Sequence, residues 1–274
     1  VAAVGSGTNG SIAITTDALT IGAAVSGTGT LTIAPQTATE SIGLGGGAGT
    51  LNIDDTELGF LTDGFSAITI GDTAAGTGTV TIDTATFNDP VIIAGGTIND
   101  ASGADIAAGT NSVTLQGTVA PESTGGGTAG ILNVTGNLTL AANDTVEIEV
   151  GGTSPGEAAT DHDQINVAGT VTIGANVTLT TSVIGAFVPF AGDEFIIIDN
   201  DGTGDAVTGT FQGLAEGAKI ANFLGSGRSA TISYVGGDGN DVTLTGDGFF
   251  VSLDGSGNLI ITDNAGTNDE VTIQ

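Results

Sequence analysis

A short phrase recurs along the chain and restricts the backbone more than any other feature: a Gly/Thr turn leading into alternating apolar and polar positions. It reads Gly27-Thr-Gly-Thr-Leu-Thr-Ile33, Gly47-Ala-Gly-Thr-Leu-Asn-Ile53 and Gly76-Thr-Gly-Thr-Val-Thr-Ile82, with related forms at Ala168-Gly-Thr-Val-Thr-Ile173 and Asn176-Val-Thr-Leu179. Apolar residues fall at every second place, as in Leu31/Ile33, Leu51/Ile53 and Val80/Ile82, so each phrase predicts a strand with one buried face. The first two phrases start 20 residues apart and the third 29 further on, with strand-like segments such as Leu19-Thr-Ile21, Ile68-Thr-Ile70 and Val91-Ile-Ile93 between them. That spacing lies in the range of repeat architectures.

A coil of stacked parallel strands needs strands, sharp Gly or Asn corners and small inward residues, and the chain supplies all three. Its 48 Gly allow positive φ at corners, and Thr on outward faces is placed to stack between neighbouring strands. The expected fold is therefore all-β with almost no helix. Residues 1–120 read as a right-handed parallel β-helix (solenoid). Residues 121–245 read as a distal β-rich module continuing or capping it, beginning at the Pro121 to Gly130 loop. Residues 246–274 read as terminal strands that start a further module or pair with another subunit. Tandem β-sandwiches are the alternative, since they share period-two strands and Gly turns. The run Phe195-Ile-Ile-Ile198 predicts a strand buried on both faces.

Charge decides which partners are out of reach. With 31 acidic and 2 basic side chains the formal charge is -29, which excludes a grip on nucleic acid or on an anionic membrane, because both need clustered Lys and Arg. No stretch approaches the apolar length of a membrane-spanning helix. Apolar residues make up 39% of the chain, too many for a disordered acidic segment. The absence of Cys removes disulfides, thiol chemistry and thiolate zinc sites. The acidic, Gly/Thr/Asp-rich, Lys-poor composition fits an extracellular or bacterial cell-surface protein.

Several segments resemble a known family. Ile131-Leu-Asn-Val-Thr-Gly-Asn-Leu-Thr-Leu140, Asp161-His-Asp-Gln-Ile-Asn-Val167 and Gly192-Asp-Glu-Phe-Ile-Ile-Ile-Asp-Asn-Asp-Gly202 are similar to the distal part of bacterial autotransporter-associated β-strand repeat proteins. Gly209-Thr-Phe-Gln-Gly-Leu-Ala-Glu-Gly217 and Ile232-Ser-Tyr-Val-Gly-Gly-Asp-Gly-Asn-Asp-Val-Thr-Leu244 share the likeness, as do large cyanobacterial and planctomycete surface proteins. The resemblance spans about residues 60 to 245 and implies a secreted, repetitive β-helical stalk or surface protein without catalytic residues.

Candidate sites are few. Asp199, Asp201, Thr203 and Asp205 place oxygens at alternating positions around a Gly turn, as a flexible calcium loop does, although the bidentate Glu of an EF-hand is missing. Gly236-Gly-Asp-Gly-Asn-Asp241 carries part of a calcium-binding nonapeptide, and Asp54-Asp55-Thr56-Glu57 and residues 263–269 are further acidic loops. Ca2+ is the one expected cofactor. His162, between Asp161 and Asp163, reads as a solvated turn residue. A polysaccharide-degrading β-helix enzyme is the third reading. It needs cationic groups at the developing charge, for which only Lys219 and Arg228 exist, so no enzyme activity is expected.

The functional expectation is a structural subunit of an extracellular rod or filament, assembling by end-to-end strand pairing with copies of itself. Phe249, Phe250, Val251, Leu253, Leu259, Ile261, Val271 and Ile273 are the candidate pairing residues, because the chain stops almost in mid-strand and an uncovered strand edge needs a partner. That partner is another subunit or the rest of a longer chain. The alternative is an adhesin or stalk fragment of a larger secreted protein in contact with a glycan or a cell surface. Only 4% of residues are aromatic, which does not favour sugar stacking.

Overall fold

A computed structural model describes residues 10–122, 127–201, 204–253 and 259–263. The chain is all-β, 48% strand and 3% helical, and its dominant element is one large, mostly parallel, open sheet. The strands of its first half are β1 (Ile12–Thr15), β2 (Thr30–Ala34), β3 (Ile42–Leu44), β4 (Leu51–Ile53), β5 (Ala67–Gly71), β6 (Thr79–Thr86) and β7 (Val91–Ala120). Then follow β8 (Ile131–Leu140), β9 (Thr145–Val150), β10 (Gln164–Val167), β11 (Val171–Ile173), β12 (Thr178–Val183) and β13 (Glu194–Asn200). The sheet ends with β14 (Lys219–Ile220), β15 (Ala230–Gly236) and β16 (Asp241–Gly246), while β17 (Phe249–Leu253) and β18 (Leu259–Asp263) form a separate antiparallel pair.

Parallel pairing places equivalent residues of successive passes side by side. β1, β2, β5 and the first residues of β7 form one ladder, with Ile14, Ile33, Ile70 and Ile93 in register. β3, β6 and β7 form another, with Ile42, Val80 and Ile98 in register. The 30-residue β7 contacts β5 and β6 on one side and β8 and β9 on the other, so it serves several ladders in turn. Beyond it the register becomes constant. β8 pairs with β10 and then β11, β9 pairs with β12, and paired residues such as Asn133/Asn166 and Thr145/Thr178 are all 33 apart.

Polar side chains ride on this register. Asn166 Nδ2 donates to Asn133 Oδ1 at 2.9 Å, Thr170 Oγ1 to Asn137 Oδ1 at 3.0 Å, and the Thr145 and Thr178 hydroxyls bond at 2.9 Å. Like residues stacked one pass above another satisfy each other, the side-chain counterpart of the backbone ladder. On the opposite face of the strands the apolar members of the recurring phrase are buried: Leu31, Ile33, Leu51, Ile53, Val80 and Ile82. One core cluster joins these to Leu138, Leu140, Phe195, Phe211, Ile232 and Leu244.

Three local features depart from the sequence expectations. The Asp54-to-Glu57 segment is not an acidic loop but the start of α1 (Asp55–Leu58), where Asp54 accepts from the Glu57 N–H and Glu57 accepts from the Asp54 N–H. This capping box satisfies free amides of the first turn, and the other Glu57 oxygen accepts from the Ile21 N–H at 2.8 Å. The Phe195-to-Ile198 run is not buried on both faces throughout. Ile196 is half-buried, and an irregularity in the β13–β16 register between Ile196 and Ile198 puts the consecutive Ile197 and Ile198 both inside. His162 is buried, not solvated.

At β13 the pairing changes sense. One edge pairs in parallel with β10 and the other antiparallel with β16, which continues through β15 to β14. This antiparallel group lies along the edge of the parallel stack. Tyr234 anchors it: its hydroxyl accepts from the Phe211 N–H at 2.9 Å and donates to the Leu214 carbonyl at 2.7 Å.

Candidate functional site

The change of sense at β13 brings together two acidic turns that lie far apart in sequence. Asp199 and Asn200 end β13, and Asp241 opens β16. The Asp241 carboxylate accepts from the Asn200 N–H at 2.9 Å and from the Asp238 N–H at 3.2 Å, which fixes the turn from Gly236 to Asp241 against the end of β13. The side-chain amides of Asn200 and Asn240 both donate to the Asp205 carbonyl, at 2.9 Å and 3.0 Å. Burial first, then the charges of Asp241, Asp238 and Asp201, push the Asp199 carboxyl above the usual range.

Of the four residues expected to form a calcium loop, Asp199 and Asp201 border one shallow groove beside Asn133 and Asn166. Asp205 contributes its backbone carbonyl to the two Asn amides, and Thr203 lies outside the described residues. Among the described residues no three His, Cys, Asp or Glu side chains gather as a metal-holding group. Sequence reasoning treated the two turns separately and missed Asn200 and Asn240. The available signal was their place at the ends of strands, but the pairing of β13 with β16 is non-local.

A second group surrounds His162 and Asp163. The His162 ring sets Nδ1 3.2 Å from the Gly152 carbonyl and Nε2 3.3 Å from the Ile196 carbonyl, to one of which the neutral ring donates, and stands edge-on to Phe195. Burial outweighs these acceptors and lowers its pKa. Asp163 is fully buried and accepts from the N–H groups of Gly130 and Glu149, each at 2.7 Å. Desolvation nevertheless pushes its pKa up to about 8. These contacts tie the 151–163 loop to β9 and β13, which is structural work. A cavity of about 190 Å³ next to Asp163 is bordered by Glu122, Glu147 and Glu149.

The two basic side chains are both engaged. Lys219 pairs with Asp247 at 3.4 Å, and Arg228 stacks on the Phe190 ring at 5.9 Å while donating to the Pro189 carbonyl. In the terminal pair, register sets Val251 opposite Ile261 and Leu253 opposite Leu259, with Phe249 opposite Asp263 and Phe250 opposite Thr262. Val271 and Ile273 lie outside the described residues. Among the described residues no helix is long and apolar enough to cross a membrane.

Comparisons with protein-family models, with curated proteins and with solved structures find no match.

Proposed function

We propose that the chain is a structural rod of an extracellular bacterial surface protein, built as a right-handed parallel β-helix whose distal strands cap or continue the coil. The observation that carries this reading is the constant 33-residue offset linking β8 and β9 to β10, β11 and β12, with Asn and Thr side chains stacked along it. Such a register gives each pass the same cross-section, the property a spacer needs. Parallel crossovers in one sheet are almost always right-handed. The high negative charge keeps neighbouring rods apart and soluble, and the resemblance of residues 60 to 245 to autotransporter-associated repeats supports the same role.

A specific observation favours assembly into filaments as a second reading. Among the described residues, β17 and β18 pair only with each other and not with the large sheet, and an isolated two-stranded hairpin is marginal in water. Pairing with a second copy would stabilise it, and head-to-tail pairing does not close on itself. Electron microscopy of the purified chain separates the readings. Dispersed short rods support a spacer. Regular filaments that vanish when residues 249–274 are removed support assembly. Flexible or globular particles would overturn both.

A further inference from the structure

Parallel register builds a column of inward residues, Ala85, Ile106, Val134 and Val167, and the next place in that column belongs to Asn200. An asparagine replaces an aliphatic residue where the stack ends. Asn200 is fully buried and Asn240 is 3% exposed. Their amide groups are oriented without ambiguity, because a carbonyl only accepts and both Nδ2 atoms face the Asp205 carbonyl. Among the described residues, both Oδ1 atoms are thereby left buried with no hydrogen-bond partner. Two buried amide oxygens in want of a partner therefore belong to side chains that meet at one carbonyl.

The surroundings are negative. Asp241 is buried, Asp199 half-buried, and Asp201 and Asp238 lie at the rim. The Asp241 carboxylate is held at the same strand end by the Asn200 N–H at 2.9 Å, and among the described residues no cationic side chain pairs with it. A bridging water would satisfy the amide oxygens but leave the buried Asp241 carboxylate without a counter-charge. A hard divalent cation does both, since it takes neutral amide oxygens together with carboxylates and cancels their charge. The mixed oxygen set, without nitrogen or sulfur, suits Ca2+ and its flexible coordination.

We propose that Ca2+ binds between the end of β13 and the β15–β16 turn, with Asn200 Oδ1 and Asn240 Oδ1 as ligands and the Asp241 carboxylate, which accepts from the Asn200 N–H, supplying the charge. The ion joins the last parallel strand to the antiparallel group that covers it. This inference stands apart from the rod proposal, because it concerns how the stack is closed and not what the molecule does at the surface.

The test is calorimetric titration of the chelator-treated, full 274-residue chain with CaCl2 at about 0.15 M KCl, where loosely held counterions are screened. One saturable site and a rise in Tm are expected. Asn200→Ala and Asn240→Ala each weaken binding about tenfold or more, while Asn143→Ala, on another ladder, leaves it unchanged. Should either site variant fail to fold, NMR of the wild-type chain decides: the side-chain amide resonances of Asn200 and Asn240 shift together with the calorimetric midpoint. Heat that never saturates, unaltered affinity in folded site variants, or amide resonances that stay fixed while others move would each overturn the proposal.

Discussion

Asn143 and Asn176 hold the same corner on consecutive passes: both adopt a left-handed backbone, φ 70° and 61°, and Asn176 Nδ2 donates to Asn143 Oδ1 at 3.2 Å. Asparagine is the side chain that both tolerates this conformation and bonds its own counterpart above or below. Replacing Asn176 with Ala forces a Cβ residue into the left-handed region without the hydrogen bond, and is expected to cost about 1–2 kcal/mol in urea unfolding. Asn176→Gly, which loses only the bond, should cost less. Equal losses would show that the corner geometry is not what selects asparagine.

Tyr234 is the lone tyrosine, and burial pushes its pKa up to about 12. Tyr234→Phe keeps the ring among Phe211 and its neighbours but strands the Phe211 N–H and the Leu214 carbonyl. A loss of about 1–3 kcal/mol is expected, read as a lower urea midpoint with an unchanged slope.

Gly71 ends β5 at φ 102°, and a Cβ there would run into the Ala94 carbonyl of the adjacent β7. Gly71→Ala combines left-handed strain with a backbone clash and should destabilise the chain by about 3 kcal/mol or more. Gly22→Ala is the control, because nothing lies within 4 Å of its added methyl. Thermal melts of the two variants should differ widely.

Asp163 has a folded-state pKa of about 8 against an ordinary 3.8, and Asp144 about 6 against the same value. Between those limits the folded chain holds more protons than the unfolded one, so stability from these groups is full below pH 3.8 and is lost as pH rises toward 8 for Asp163 and 6 for Asp144. His162 works the other way: its lowered pKa means that its contribution is lost as pH falls below 6.5. Comparing wild type with Asp163→Asn isolates the first effect, since the variant should show a flatter fall in stability between about pH 6.5 and 8. An identical slope would mean that Asp163 ionises normally in the folded chain.

Where the pattern is local, the sequence announces the structure. The buried faces at Leu31/Ile33, Leu51/Ile53 and Val80/Ile82 follow directly from period-two alternation. β7 is harder to read, because Asp100 sits fully buried within it and Gly residues interrupt its alternation, although neighbouring passes hold it as strand throughout. The 33-residue register escapes notice because only residue types, Asn over Asn and Thr over Thr, repeat between passes while much of the remaining text differs. His162 reads as exposed because its neighbours are acidic, and only the carbonyls of Gly152 and Ile196 show why it is inside. The meeting of Asn200, Asn240 and Asp241 depends on a reversal of strand direction that no nearby residue signals.

The constant offset also makes size a matter of whole steps. A further 33-residue unit placed between the passes that begin at β8 and at β10 would meet equivalent backbone and side chains above and below, and each such step adds about 4.8 Å along the stack. Duplication of that length is therefore a tolerated change, whereas an insertion of a few residues within a strand would throw the Asn and Thr stacks out of alignment. A lineage carrying this architecture could lengthen or shorten the stack of strands by gene copying alone, with no new core to invent.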